Sequence, residues 1–294
     1  MKLNLALFFG GKSVEHEISV ISALQAAAAL DPEKYEVIPV YITKENDFYT
    51  GEAIGKIEAY RDIPALLAKS QRVLPARREG RAVLLRQPAK AFGKNVLAQL
   101  DVAFPIVHGA NVEDGTLQGF LRLLGLPFVG CDVGASALGM DKYAMKALFK
   151  MNGIPVLDCL CLRASDYDRD PEAALRQVAQ SFGFPVIVKP VNLGSSVGIS
   201  KAKDLDSLRS AMELAFRFAT RVLAEPCVQP LREINCAVLG DGDEARVSVC
   251  EEPLNADEIL SYENKYMGGG KGAKAAKGAK TAPSGSKGMA GLER

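Results

Sequence analysis

Short apolar runs rich in β-branched and aromatic residues alternate along this chain with longer stretches of helical period. Leu3 to Phe9, Tyr35 to Tyr41 and Val102 to Val107 read as strands, and about Ser19 to Leu30 and Thr116 to Leu124 as helices. The rhythm is βαβ, which predicts a parallel sheet covered by helices and an α/β fold. Pro105 is a mild objection to its strand, because it removes one ladder donor. Downstream, a helix over Ala135 to Asn152, a strand over Val156 to Leu162, a helix over Pro171 to Phe182, a strand over 185 to 189, a helix over Asp204 to Phe218 and a strand over Arg221 to Glu225 continue the alternation. Residues 43 to 100 mix a charged helical pattern with a hairpin over Arg72 to Arg86 and read as an insertion.

Two loops carry the candidate chemistry. Residues 186 to 198 read Val-Ile-Val-Lys-Pro-Val-Asn-Leu-Gly-Ser-Ser-Val-Gly, a buried strand ending in Lys189 and opening into a glycine/serine turn. Pro190 blocks any helix, and Gly194, Ser195 and Ser196 offer N–H groups and hydroxyls to an anion, so the segment reads as a phosphate grip. An ordinary strand and turn with a snorkelling lysine fits the same letters. Upstream, His108-Gly-Ala-Asn-Val-Glu-Asp-Gly-Thr-Leu-Gln-Gly119 again follows a strand and precedes an apolar helix. His108 can orient a carboxylate or be a satisfied structural group. Glu15 follows the first strand, where ligands collect at the carboxyl ends of parallel strands. Ser13 with His16 and Glu17 reads equally as helix capping, and His16 as a surface or helix-start polar residue without assigned chemistry.

Together with Gly10-Gly11-Lys12-Ser13-Val14-Glu15-His16-Glu17-Ile18-Ser19 and Met140-Asp141-Lys142-Tyr143-Ala144-Met145-Lys146, these segments resemble the D-alanine–D-alanine ligases of the ATP-grasp superfamily over nearly the whole chain. Val112 departs from the pattern, standing where the histidine motif usually has a glycine. A larger departure is at the end: the family's Arg-x-Asp strand and Asn-Glu-x-Asn-x-x-Pro-Gly segment do not occur before Arg294.

The resemblance implies an ATP-grasp architecture with an N-terminal parallel-sheet domain over residues 1–130. A central subdomain over 131–225 and an incomplete C-terminal subdomain over 226–294 would follow. It implies ligation of two D-alanines through an acyl phosphate made with ATP, for peptidoglycan synthesis. Lys142 and Lys189 match the family's phosphate lysines, and Ser195 and Ser196 the loop closing over phosphates and first substrate. Glu225 matches the hinge acceptor of the adenine amino group, the backbone at Val228 its partner, and Glu233 the ribose acceptor. Glu15 would face the first D-alanine's ammonium and His108 would line the substrate site. Tyr262-Glu263-Asn264-Lys265-Tyr266 resembles the ω-loop, with Lys265 reaching phosphate and Tyr266 joining Glu15 and Ser195 around the first substrate; the tyrosine points to D-alanine rather than hydroxy-acid use. The family needs Mg²⁺ or Mn²⁺, whose ligands normally come from the segments not found here, so no metal ligand is assigned and little turnover is expected of these 294 residues alone. A nucleotide- or D-alanine-binding module without turnover, and another carboxylate–amine ligase such as a D-alanine–D-serine ligase, are the competing readings. Family members are often homodimers.

Composition narrows the partners. With 48% hydrophobic and 24% charged residues the chain is globular in type, and its net charge of +1 removes any electrostatic argument for nucleic acid or an anionic membrane. The opening Met-Lys-Leu-Asn-Leu-Ala-Leu-Phe-Phe meets Gly-Gly-Lys without a small-residue cleavage pattern and reads as a strand, not a signal peptide. Six scattered cysteines with no zinc spacing read as buried free thiols of a cytoplasmic protein, Cys159 and Cys161 sharing one strand face. From Gly268 to Gly291, eight glycines and five lysines read either as a disordered tail or as part of a lysine-rich lid.

Overall fold

The computed structural model describes residues 2–194 and 196–252. They fall into two compact units, one of the residues up to Ile154 together with Asn192–Gly194, the other of Pro155–Val191 and the described residues after Gly194. In the first, β1 (Leu3–Gly10) is followed by α1 (His16–Ala29), β2 (Tyr35–Ile42), β3 (Phe48–Thr50) and α2 (Ile63–Ala68). Next come β4 (Gln71–Arg78), β5 (Arg81–Arg86), β6 (Val96–Leu100) and β7 (Val102–Val107), then helices α3 (Thr116–Leu123), α4 (Val133–Met140) and α5 (Lys142–Met151). The strands form one sheet in the order β6-β5-β4-β3-β2-β1-β7.

Only β2, β1 and β7 are mutually parallel; β3 to β6 extend the sheet antiparallel. The expected hairpin over Arg72 to Arg86 is β4 paired with β5, and residues 43 to 100 contribute the four strands β3 to β6 to the sheet. Pro105 lies on β7 opposite Phe8 of β1, two residues beyond Ala103, where the outer side of β7 pairs with the 127–129 segment. β1 is apolar at nearly every position because both its faces are covered: Ala6 and Phe8 join a core with Leu117 and Leu121 of α3, while Leu5, Leu7 and Phe9 join one with Val20 and Ala23 of α1.

The helix expected over Ala135 to Asn152 is two helices. Asp141 has extended backbone, ψ 98°, and its carboxylate accepts the N–H groups of Tyr143 and Ala144, so a new helix starts there. This puts Lys142 in the first turn of α5.

The second unit comprises β8 (Leu160–Arg163), α6 (Ala164–Arg169), α7 (Pro171–Phe182), β9 (Val186–Pro190), β10 (Ser200–Ala202), α8 (Leu205–Phe216) and β11 (Arg221–Pro226), followed by the short β12 (Val238–Leu239) and β13 (Arg246–Val247). Its main sheet runs β10-β9-β11-β8, all antiparallel. Val186, Val188, Val222 and Ala224 turn one face to Leu175 and Val178 of α7 and Leu208 and Met212 of α8. Asp204 caps α8 through Ser207 N–H, which accounts for the helix starting at Leu205. No helix among the described residues is long and apolar enough to cross a membrane.

None of the six thiols is buried: Cys131, Cys236 and Cys250 are exposed and the others half-buried. The expectation of buried thiols is corrected. Cys131 follows the last strand-like residues of the first unit's sheet, and Cys236 and Cys250 belong to a thin ribbon, so none reaches a core cluster.

Candidate active site

In the first unit three segments meet around the carboxylate of Glu15. The residue ends the turn after β1 as the N-cap of α1, yet its side chain does not cap that helix. It is buried, 4% exposed. The carboxylate lies against two glycines: a methyl group added at Gly109 would come within 2.5 Å of Glu15 Oε2, and one at Gly194 within 3.2 Å. Gly109 also has φ +86°, so glycine is required there on both counts. Gly194 belongs to the glycine/serine loop, and Glu15 and that loop are therefore neighbours.

The turn is held by groups that sequence reasoning had assigned elsewhere. The Ser13 hydroxyl donates to the His108 carbonyl at 2.7 Å and accepts the Glu15 N–H at 3.1 Å, joining the β1–α1 turn to the end of β7. It is a bridge between loops and not a helix cap. His16, expected as a surface or helix-start residue, does start α1 but is buried, 4% exposed. Its Nδ1 lies 2.7 Å from the Gly11 carbonyl oxygen, which can only accept, so Nδ1 donates there, and Nε2 lies 2.9 Å from the Tyr41 hydroxyl oxygen. The one-residue step from His16 to Glu15 is the signal that would have found this support. Burial pushes the Tyr41 hydroxyl up to about 12, helped by the charges of Glu17 and Glu45, so it remains a donor at neutral pH.

His108 is partly buried, with Nε2 3.3 Å from Ser22 Oγ and Nδ1 3.8 Å from Glu113 Oε1. Glu113, not singled out in the sequence, accepts the Gly109 N–H at 2.8 Å. Burial raises its carboxyl, but the hydrogen bonds from His108 and Gly109 and the His108 charge outweigh this and hold it below the usual carboxylate value. Val112 points inward, 3% exposed, and packs in the core with Leu117 and Leu121. The left-handed turn that a glycine would otherwise serve is made one residue earlier by Asn111, φ +68°.

Lys142, in the first turn of α5, donates to the carbonyl of Leu193 in the same Asn192–Gly194 segment.

In the second unit, Lys189 on β9 and Glu225 on β11 form a close ion pair. The register opposes Leu223 to Lys189 and Ile187 to Glu225, so the two charged residues are diagonal neighbours on one face of the sheet. That face is opposite to the one packed on α7 and α8. Glu225 is buried and the Lys189 side chain 17% exposed. After β9, Ser196 adopts φ +61° and its carbonyl accepts the Ile199 N–H at 3.2 Å. At Gly198, φ +72°, an added methyl would meet Pro190 and Phe218 at 2.9 and 3.0 Å. Val228 is exposed on the segment after β11 and Glu233 half-buried further along it. Ser195, Lys265 and Tyr266 lie outside the described residues, as does the glycine/lysine-rich tail.

The N-terminal and C-terminal family models "D-ala D-ala ligase N-terminus" and "D-ala D-ala ligase C-terminus" match residues 4–131 and 148–287. The chain belongs to the D-alanine–D-alanine ligase family. It is 43% identical over 268 residues to the D-alanine–D-alanine ligase of Caldicellulosiruptor bescii, covering 90% of this chain and 71% of that one. With the enzyme of the same name from Bacillus pumilus it shares 39% identity over 269 residues, 92% of this chain and 72% of the relative. Among solved structures it is similar to the D-alanine–D-alanine ligase of Helicobacter pylori, with TM-score 0.74, 29% identity and coverage of 87% and 76% of the two chains. The VanG D-Ala:D-Ser ligase of Enterococcus faecalis gives TM-score 0.72 at 32% identity, over 86% and 70%. The fold is thus the ATP-grasp fold of these ligases.

Proposed function

We propose that this protein joins two D-alanines to D-alanyl-D-alanine with ATP, through an acyl phosphate of the first, in the supply of peptidoglycan precursors. The observation that carries the reading is the contact of the Glu15 carboxylate with Gly194 of the glycine/serine loop: a group suited to an amino acid's ammonium adjoins a loop suited to phosphate.

Each residue has a task set by its chemistry. Phosphoryl transfer depends on charge neutralisation and positioning, and Lys142 and Lys189 are compact cations for that purpose. Lys142 donates to the Leu193 carbonyl, which holds its ammonium beside the glycine/serine loop. Glu225 fixes Lys189 at the strand end; a carboxylate has lone pairs for further donors, so it can also accept the adenine amino group. Val228 supplies backbone contacts to the base and Glu233 accepts the ribose hydroxyls. Ser195 and Ser196 close over the phosphates, Lys265 adds a cation and Tyr266 joins Glu15 and Ser195 over the first D-alanine. His108, held by Glu113 and Ser22, orients the substrate carboxylate. Exclusion of water protects the acyl phosphate from hydrolysis.

Mg²⁺ or Mn²⁺ accompanies the nucleotide in this reading. Among the described residues no group of three His, Cys, Asp or Glu side chains fits a metal ion, so no step is routed through one. Cytoplasmic location follows from the substrates, and a homodimer is the expected assembly. The test is phosphate release from ATP with D-alanine, alone and with D-serine as acceptor. It is run on the 294 residues and on a chain continued through the Arg-x-Asp and Asn-Glu-x-Asn segments, with the dipeptide identified by mass. D-alanyl-D-alanine from either chain supports the reading. ATP binding without dipeptide from both reduces the protein to a binding module, and preference for D-serine moves it to the D-alanine–D-serine class.

A further inference from the structure

Residues 235–251 form a two-stranded antiparallel ribbon whose ladder can be followed bond by bond. The Asn235 N–H donates to the Glu251 carbonyl at 2.8 Å and the Glu251 N–H to the Asn235 carbonyl at 2.9 Å, a hydrogen-bonded pair. Inward of it the single residue Cys236 faces both Val249 and Cys250, because their strand has one residue more before its next bond. Beyond it the Ser248 N–H donates to the Ala237 carbonyl at 2.8 Å, and Val238 pairs with Val247. The register therefore shifts by one residue in a bulge at the cysteines, which sharpens the local twist. Cys236 Sγ already lies over the opposite strand, 3.5 Å from the Ser248 carbonyl oxygen. Both thiols are free and exposed. By contrast Cys161 stands opposite Leu223.

We propose that Cys236 and Cys250 are an oxidisable pair, closing to a cross-strand disulfide in the presence of a low-molecular-weight disulfide. Disulfides span Cα separations of about 4.4–6.8 Å, a window that covers residues facing each other across neighbouring antiparallel strands. One cysteine loses its proton to solvent and its thiolate attacks the small disulfide; a mixed disulfide forms and half of the reagent leaves as thiolate. The second cysteine, deprotonated in turn, attacks the protein sulfur of that mixed disulfide and releases the other half. Two protein thiols are oxidised by two electrons and one small disulfide is reduced to two thiols. A two-stranded ribbon is marginal by itself, so the bond makes its order depend on redox state by restricting the opened chain.

The native chain is incubated with oxidised glutathione, its remaining thiols are capped with iodoacetamide in denaturant, and it is digested with trypsin. Cleavage after Arg232, Arg246 and Lys265 places the two cysteines on separate peptides, 233–246 and 247–265. The expected product is those two peptides linked, with two of the six thiols lost; Cys236→Ser should leave Cys250 carrying glutathione and no link. Glutathione on both cysteines without the link, or a link no more abundant than in chain oxidised in denaturant, overturns the proposal.

Discussion

The carboxylate of Glu15 in the first unit is located by backbone turns, whereas the Lys189–Glu225 pair in the second is located by strand register. Around Glu15, glycines leave no room for a methyl group, and one of them is held at positive φ. Around Lys189 the positions are set by β9 and β11, which would pair in the same way with many other side chains. The first arrangement therefore fails through geometry when a neighbour changes, and the second through charge.

The largest effect should come from breaking the charge pair. Lys189→Ala leaves the buried Glu225 carboxylate without its lysine and should cost about 3 kcal/mol, the scale for disrupting a buried ion pair. In an active full-length ligase it should also abolish ATP-dependent turnover. Urea unfolding of Lys189→Ala, Glu225→Gln and the double variant tests this: if the double variant loses as much as the two single ones summed, the pair is not coupled.

A smaller but geometric loss is expected at Gly109. Gly109→Ala forces a side chain into a left-handed conformation and into the Glu15 carboxylate, at about 2 kcal/mol. Gly194→Ala, with negative φ and a contact of 3.2 Å, should cost less. Equal melting temperatures for the two variants would show that the turn is not what fixes Glu15. His16→Ala removes two hydrogen bonds and leaves the Tyr41 hydroxyl without its imidazole, at about 2 kcal/mol. Its melting temperature should fall, and that of His16→Asn less.

The smallest effect concerns Glu113. Its carboxyl is held below the usual value in the folded protein, so it contributes stability above the unfolded-state pKa, and this is lost as pH falls through the folded one. The side chain is 44% exposed, and screening keeps the contribution under about 1 kcal/mol. Wild type and Glu113→Gln should differ at pH 7 and converge below about pH 4. A gap that persists at low pH would assign the difference to packing instead.

Much of the fold could be read from local pattern, because burial writes its period directly into the chain. The β1, β2 and β7 strands, α3, α7 and the β4–β5 hairpin fall within a residue or two of expectation. The split at Asp141 was also available, since Asp before a lysine-rich helical turn is a cap signal, but the apolar periodicity on both sides masked it. Residues 43 to 100 could not be placed: a short strand such as Phe48–Thr50 has no more signal than a loop until a partner strand lies beside it.

The same division holds for the candidate site. Sequence alone marked the candidates, because a lone lysine ending a buried strand, a histidine leaving another and a glycine/serine loop are local patterns. Only the tertiary structure decided their company: Glu15 against Gly109 and Gly194, Ser13 as a bridge to His108, His16 buried on Tyr41, and Lys189 tied to Glu225. Those contacts join residues far apart in the chain, and which distant groups satisfy a buried donor or charge is fixed by packing, not by sequence neighbours.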